Sequence, residues 1–206
     1  MARRLLVGAS LVAALLAAAP AALADGDPAS DYLLSQPLFV GFDVKVPDAQ
    51  LKRLRAVIAD AHAKGYEIRV AVLATRFDMG SVYTLWRKPK LYTRFLGQEL
   101  FFVYKGRLLV VMPSGYGVSR GGAALAPQQR LVDRLPAPGP SPAAMAGGAA
   151  VAVQKLAAEA GVQVALPSLS SSGGSSSRDR IFVGAGVGVL ILLVSGASFF
   201  WRRRGA

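Results

Sequence analysis

The chain has 206 residues, no cysteine, a single histidine and a formal net charge of +12. The absence of thiols excludes disulfides, cysteine nucleophiles and cysteine metal sites, and leaves any Ser-His-Asp triad dependent on His62 alone. Residues 25–177 hold 17 basic and 11 acidic residues, a net +6, which favours anionic lipid heads or cell-wall polymers as neighbours.

Residues 1–24 have the layout of a secretory signal. Arg3 and Arg4 form the positive start, an apolar stretch follows, and Ala22-Leu23-Ala24 supplies the small-residue cleavage site. The mature chain then begins at Asp25, and the polar residues 25–30 read as a tether. Residues 31–166 are long enough for one hydrophobic core and too short for two.

Within that region, residues 37–42 suit a first strand. Pro47-Asp48 opens a helix whose Leu51, Leu54, Val57, Ile58 and Ala61 share one face, and Gly65 ends it. Residues 66–74 read as a strand, residues 75–80 as a loop, residues 81–86 as a short helix and residues 91–99 as a second helix. The apolar runs 100–104 and 107–112 read as two central strands joined by Lys105-Gly106, with Gly106 supplying a positive φ and Pro113 stopping the second strand. On this reading Ser114, Gly115, Tyr116 and Gly117 form a loop leaving the sheet edge. A short helix over residues 127–135 and a Pro-rich connector follow. Ser141 and Pro142 then open a helix to about residue 160 whose inward residues, Met145, Ala149, Ala152, Val153 and Leu156, are mostly small. Residues 162–166 suit an edge strand. The alternation predicts an α/β fold: a small mixed sheet of about four strands, covered by helices on both faces.

Residues 167–180 form a Ser/Gly-rich linker whose first eleven residues span about 18 Å as a flexible coil. Residues 181–201 are free of charge and reach about 31 Å as a helix, enough to cross a bilayer. Trp201 and Arg202-Arg203-Arg204 close this segment, so the basic tail, residues 202–206, is expected in the cytoplasm and the domain outside a bacterial cell membrane. Gly184 and Gly188 have the G-x-x-x-G spacing of helix pairs that dimerise in membranes. That side of a membrane is not a place for nucleic acid.

Candidate chemistry is sparse. Asp31 and Asp78 fall near ends of predicted elements, where phosphoryl chemistry or a calcium ion would require carboxylates. Ser114-Gly115-Tyr116-Gly117 can cradle an anion through backbone N–H groups, although it lacks the lysine and spacing of a P-loop. Trp86, Arg87, Lys88 and Lys90 form a basic, aromatic patch suited to a lipid or protein surface. His62 flanks an apolar helix face and reads as structural.

Several phrases resemble those of the TPM domain family. They are Asp31-Tyr32-Leu33-Leu34-Ser35, the strand from Gly65 to Leu73, the strand from Lys105 to Val111 and the Gly115-Tyr116-Gly117 turn, followed by a linker and an anchor. The resemblance covers about residues 31–160. It implies a small α/β sandwich outside a membrane, acting in the assembly or maintenance of other membrane or envelope proteins. In some members it also implies acid phosphatase activity or calcium binding. Two departures stand out. Residues 36–46 look inserted, and the acids expected within residues 75–99 are reduced to Asp78 and Glu99. No catalytic residue or metal ligand is therefore carried over, and a non-enzymatic binding module is the leading expectation.

Overall fold

The computed structural model describes residues 26–42 and 44–169. The signal segment, most of the linker, the apolar segment 181–201 with Gly184 and Gly188, and the basic tail lie outside these residues. Among the described residues no helix is long and apolar enough to cross a membrane.

The chain runs α1 (Pro28–Leu33), β1 (Leu38–Val40), α2 (Asp48–Ala63), β2 (Ile68–Val72), a 3-10 helix η1 (Arg76–Leu85), α3 (Pro89–Glu99), β3 (Arg107–Met112), β4 (Gly115–Arg120), β5 (Ala123–Ala124), α4 (Ala126–Asp133) and α5 (Pro142–Glu159). The sheet has five strands in the order β1-β2-β3-β4-β5. The first three strands are parallel, and β4 and β5 are antiparallel to their neighbours. An α/β fold with a mixed sheet covered on both faces is thus present, with one more strand than expected.

Alternation along the strands sorts the core into two layers. Val70, Val72, Leu109, Val111 and Val118 face α2, α4 and α5. Phe39, Ala71, Leu73, Leu108, Val110 and Met112 face α1, η1 and α3. Residues on both faces of β2 and β3 are buried, as near-continuous apolar strands require. The strand order is monotonic while α2 and α3 cover opposite faces, so the two parallel crossovers have opposite hand. One of them is of the rare left-handed type.

The segment around residue 100 departs from its expected form. Residues 100–104 are not a strand but the last turns of the α3 region: Leu100 N–H donates to Leu96 O at 3.0 Å and Tyr104 N–H to Leu100 O at 2.7 Å. Leu100 and Tyr104, four apart, are buried, while Phe101, Phe102 and Val103 between them are exposed. That is a helical turn's period rather than a strand's. The hairpin lies one strand later. β3 and β4 pair from Arg107↔Arg120 to Met112↔Gly115, with Pro113-Ser114 as the turn. Gly106 is required for room rather than for a positive φ, because a Cβ there would lie 2.3 Å from the Tyr104 ring.

Gly115, Tyr116 and Gly117 therefore belong to strand β4 and do not leave the sheet as a loop. Gly117 lets α3 seat directly on β4, since a Cβ would lie 2.1 Å from Pro89 O. Ser119 Oγ adds a buried hydrogen bond to Thr93 O at 2.7 Å from the same strand.

Three smaller expectations are corrected. The N-terminal tether is partly structure: α1 begins at Pro28, and Ala29 and Leu33 are fully buried. Residues 75–80 belong mostly to η1, and residues 162–166 form no strand. Of the three described helices that begin on a proline, α1 and α5 have a side-chain cap, from Asp27 and Ser141 respectively, and α3 at Pro89 has none.

Candidate functional site

The parallel strands end at Val40, Val72 and Met112, and ligands in open α/β sheets bind outside such carboxyl ends. A pocket of about 600 Å³ lies at this end of β3. Ser114 and Gly115 of the β3–β4 turn form one wall, and Arg87, Lys88, Pro89, Lys90 and Leu91 at the start of α3 form another. Val132 and Asp133 of α4, with Leu135 and Ala137 beyond it, complete the lining. Two groups that are 24 residues or more apart in sequence, the basic patch and the Ser114 turn, thus meet at one site. Ser114 Oγ donates to Arg87 O at 3.1 Å.

Arg87 is the one non-glycine residue with positive φ among those described, at φ 62°. That backbone is uncommon for a side chain with a Cβ and costs on the order of 1–3 kcal/mol. Pro89 explains part of the geometry: it sits at the first turn of α3, and Lys88 before it is held out of the helix at φ −118°, ψ 63°. The result is that Arg87 and Lys88 are both exposed at the pocket mouth.

Lys90 Nζ lies 2.7 Å from Asp133 Oδ2. Burial by itself would raise the Asp133 carboxyl, but hydrogen bonds from Lys90 and Gln129 hold it below its ordinary value. Gln129 also tidies the outer edge of β4. Its Nε2 donates to Tyr116 O at 3.0 Å, and its Oε1 accepts from Val118 N–H at 2.9 Å. One side-chain amide thereby replaces a neighbouring strand where β5 is too short to reach. The phenol of Tyr116 is buried and donates to Pro136 O at 3.3 Å. Burial raises its pKa, and its role is to pin the connector after α4 against the sheet.

The other sequence candidates are not gathered here. Asp78 is buried at the end of β2, where its Oδ2 accepts from the N–H groups of Ala74 and Thr75 at 2.8 Å each. Asp31 is exposed on α1. Trp86 is half-buried and packs on the layer that holds α3, so it is not a free surface anchor. Among the described residues no three acidic or histidine side chains converge as metal ligands would. His62 Nε2 lies 2.7 Å from Ile68 O and 3.2 Å from Ile68 N, and so ties the end of α2 to β2.

Sequence reasoning missed Asp27. It caps α1, receiving Ala29 N–H at 3.2 Å and the Tyr92 hydroxyl at 2.6 Å, and its Oδ2 is buried without a partner among the described residues. Burial lifts its carboxyl to about 6. The Asp27-Pro28 pair was the available signal, since it is a helix-start pattern. Asp133 and Gln129 carried no such mark, because α4 presents them only through its packing on β4.

No protein-family model matches the chain, and neither a curated protein nor a solved structure matches it.

Proposed function

We propose that the chain is a single-pass bacterial membrane protein whose TPM-like extracytoplasmic domain is a binding module. Its pocket at the carboxyl end of β3 receives an anionic group of an envelope or membrane partner. The observation that carries this reading is Arg87: an arginine kept in a left-handed conformation, its carbonyl held by Ser114, at the mouth of a pocket with Lys88 and Lys90. Glycine would suit that backbone better, so an arginine there gains nothing for folding and supports use as a charge. The Arg87 guanidinium and the Lys88 ammonium suit a phosphate or carboxylate, with Lys90 already paired to Asp133.

The phosphatase alternative needs Asp31 or Asp78 beside Ser114. Asp78 already satisfies two backbone donors, and neither acid lines the pocket. The binding reading is therefore preferred.

The test is thermal unfolding of the full chain in detergent, in phosphate and in chloride at equal ionic strength. Phosphate at 100 times its dissociation constant stabilises by about 2.7 kcal/mol. Arg87→Gly, which keeps the backbone conformation and removes the charge, is expected to fold at least as stably and to lose most of that shift. An equal shift in Arg87→Gly, or no shift in the parent protein, rejects the reading. A shift with calcium instead would favour the metal alternative.

A further inference from the structure

The end of the domain opposite the pocket carries three consecutive exposed apolar residues. Phe101, Phe102 and Val103 follow one another at 41%, 94% and 63% exposure. They form the turn between the end of α3 and the start of β3, at the amino end of the parallel strands. The turn is held firmly from beneath. Leu100 and Tyr104 on either side are buried, the Tyr104 hydroxyl donates to Arg107 O at 3.0 Å, and the Arg69 guanidinium lies 4.0 Å from the Tyr104 ring centre. Lys105 Nζ sits 4.6 Å from the Phe101 ring centre. The turn is thus a rigid aromatic ridge with a cation beside it, not a frayed end. Leaving a Phe side chain almost wholly in water forfeits its transfer free energy, and nothing in the fold requires Phe102 there.

The chain leaves the domain at the same end. Lys64 Nζ donates to Gln163 O at 2.8 Å, and Ala165 N–H donates to Asp60 Oδ2 at 2.8 Å. Asp60 and Lys64 belong to the carboxyl terminus of α2, which leads directly into the start of β2. That is the end of the sheet where β3 also starts. From there only the Ser/Gly linker, about 18 Å in its first eleven residues, separates the domain from the uncharged segment 181–201. A tether of that length keeps the end from which it leaves within reach of the surface in which it is anchored.

We infer that the Phe101-Phe102-Val103 ridge inserts into the interfacial layer of the lipid bilayer, with Lys105 at the level of the headgroup phosphates, so that the domain stands on the membrane with its pocket facing away. Aromatic side chains flanked by a cation are the composition that partitions into that layer. This orientation rests on the anchored reading given above, whereas the ridge's affinity for lipid does not.

The chain has no cysteine, so single introduced thiols can be labelled uniquely with an environment-sensitive dye. Full-length protein carrying Phe102→Cys, Tyr83→Cys or Val187→Cys is reconstituted into phosphatidylcholine vesicles containing phosphatidylglycerol. Tyr83 is an exposed residue of η1, at the pocket end, and Val187 lies within the uncharged segment. The dye at Phe102 is expected to emit to the blue, to be quenched by nitroxide-bearing lipid and to be shielded from iodide. The dye at Tyr83 should show the reverse. Phe102 in water with Val187 in lipid overturns the ridge and leaves the anchor standing. Both in water overturns both readings. A blue-shifted Phe102 that lipid nitroxide cannot quench means that protein covers the ridge, and this also overturns the lipid assignment. Phe102 in lipid supports the ridge whichever way Val187 reads.

Discussion

Replacing Asp27 by Asn should make the protein more stable, and only above about pH 4. Asp27 is 5% exposed and caps α1, yet its carboxyl is lifted by burial from 3.8 to about 6, with Glu99 and Asp31 adding repulsion and the hydrogen bonds from Tyr92 and Ala29 partly opposing the rise. A carboxyl whose folded pKa lies above its unfolded one binds its proton more tightly in the folded state. Between about pH 4 and 6 the folded chain therefore keeps a proton that the unfolded chain has released, and stability falls as pH rises through that window. Two pKa units at 1.36 kcal/mol each make the loss about 3 kcal/mol by pH 7. Asn is as good a cap as Asp, and its oxygen can accept from Ala29 N–H and the Tyr92 hydroxyl without a charge to desolvate. At pH 8 the Asp27→Asn protein should gain up to about 3 kcal/mol, roughly 10 °C in melting temperature for a domain of this size. At pH 4 it should match the parent. Urea unfolding of both proteins from pH 4 to 8 measures this directly. Asp60 and Asp133 have depressed carboxyls and act in the opposite sense, but they are common to both proteins and cancel in the difference. Parallel stability curves, or a variant weaker than the parent at pH 8, would refute the argument.

Two further substitutions test the packing that places the pocket. Asp78→Ala leaves the part-buried N–H groups of Ala74 and Thr75 without their shared acceptor, and should cost about 1–3 kcal/mol in chemical denaturation; a loss below about 0.5 kcal/mol would mean that water or the backbone takes over. Gly117→Ala drives a methyl into Pro89 O, which would lie 2.1 Å away. It should lift α3 from β4 at a cost of 3 kcal/mol or more, by analogy with overpacked cores, which range upward from about 1–3 kcal/mol. Because the same helix start forms the pocket wall, Gly117→Ala should also abolish the phosphate-dependent shift. Full retention of that shift would separate the pocket from the α3–β4 seat.

Local chemistry made much of the architecture legible. The apolar period of α2, the cap and proline that open α5, the small inward face of α5 and the continuous apolar runs of β2 and β3 are all written in neighbouring residues, and such signals act before any tertiary contact forms. The layering followed, since α/β alternation leaves few other ways to bury those faces. Residues 100–104 show where this stops. Their composition favours a strand, but Leu96, Leu100 and Tyr104 are spaced to bury one helical side, and only a sheet already occupied by β2, β3 and β4 decides between the two. The same holds for the hairpin. Either Lys105-Gly106 or Pro113-Ser114 can turn a chain, and the pairing of Leu109 with Val118 selects the second. The site was divided in the sequence into a basic patch and a Gly-rich turn, each unremarkable alone. Seating α3 on Gly117 brings Arg87 to Ser114, and the opposite-handed crossovers put α3 on the face where it can do so. Separation along the chain hides such a meeting, because the energy that enforces it comes from burial and not from any residue in the pocket.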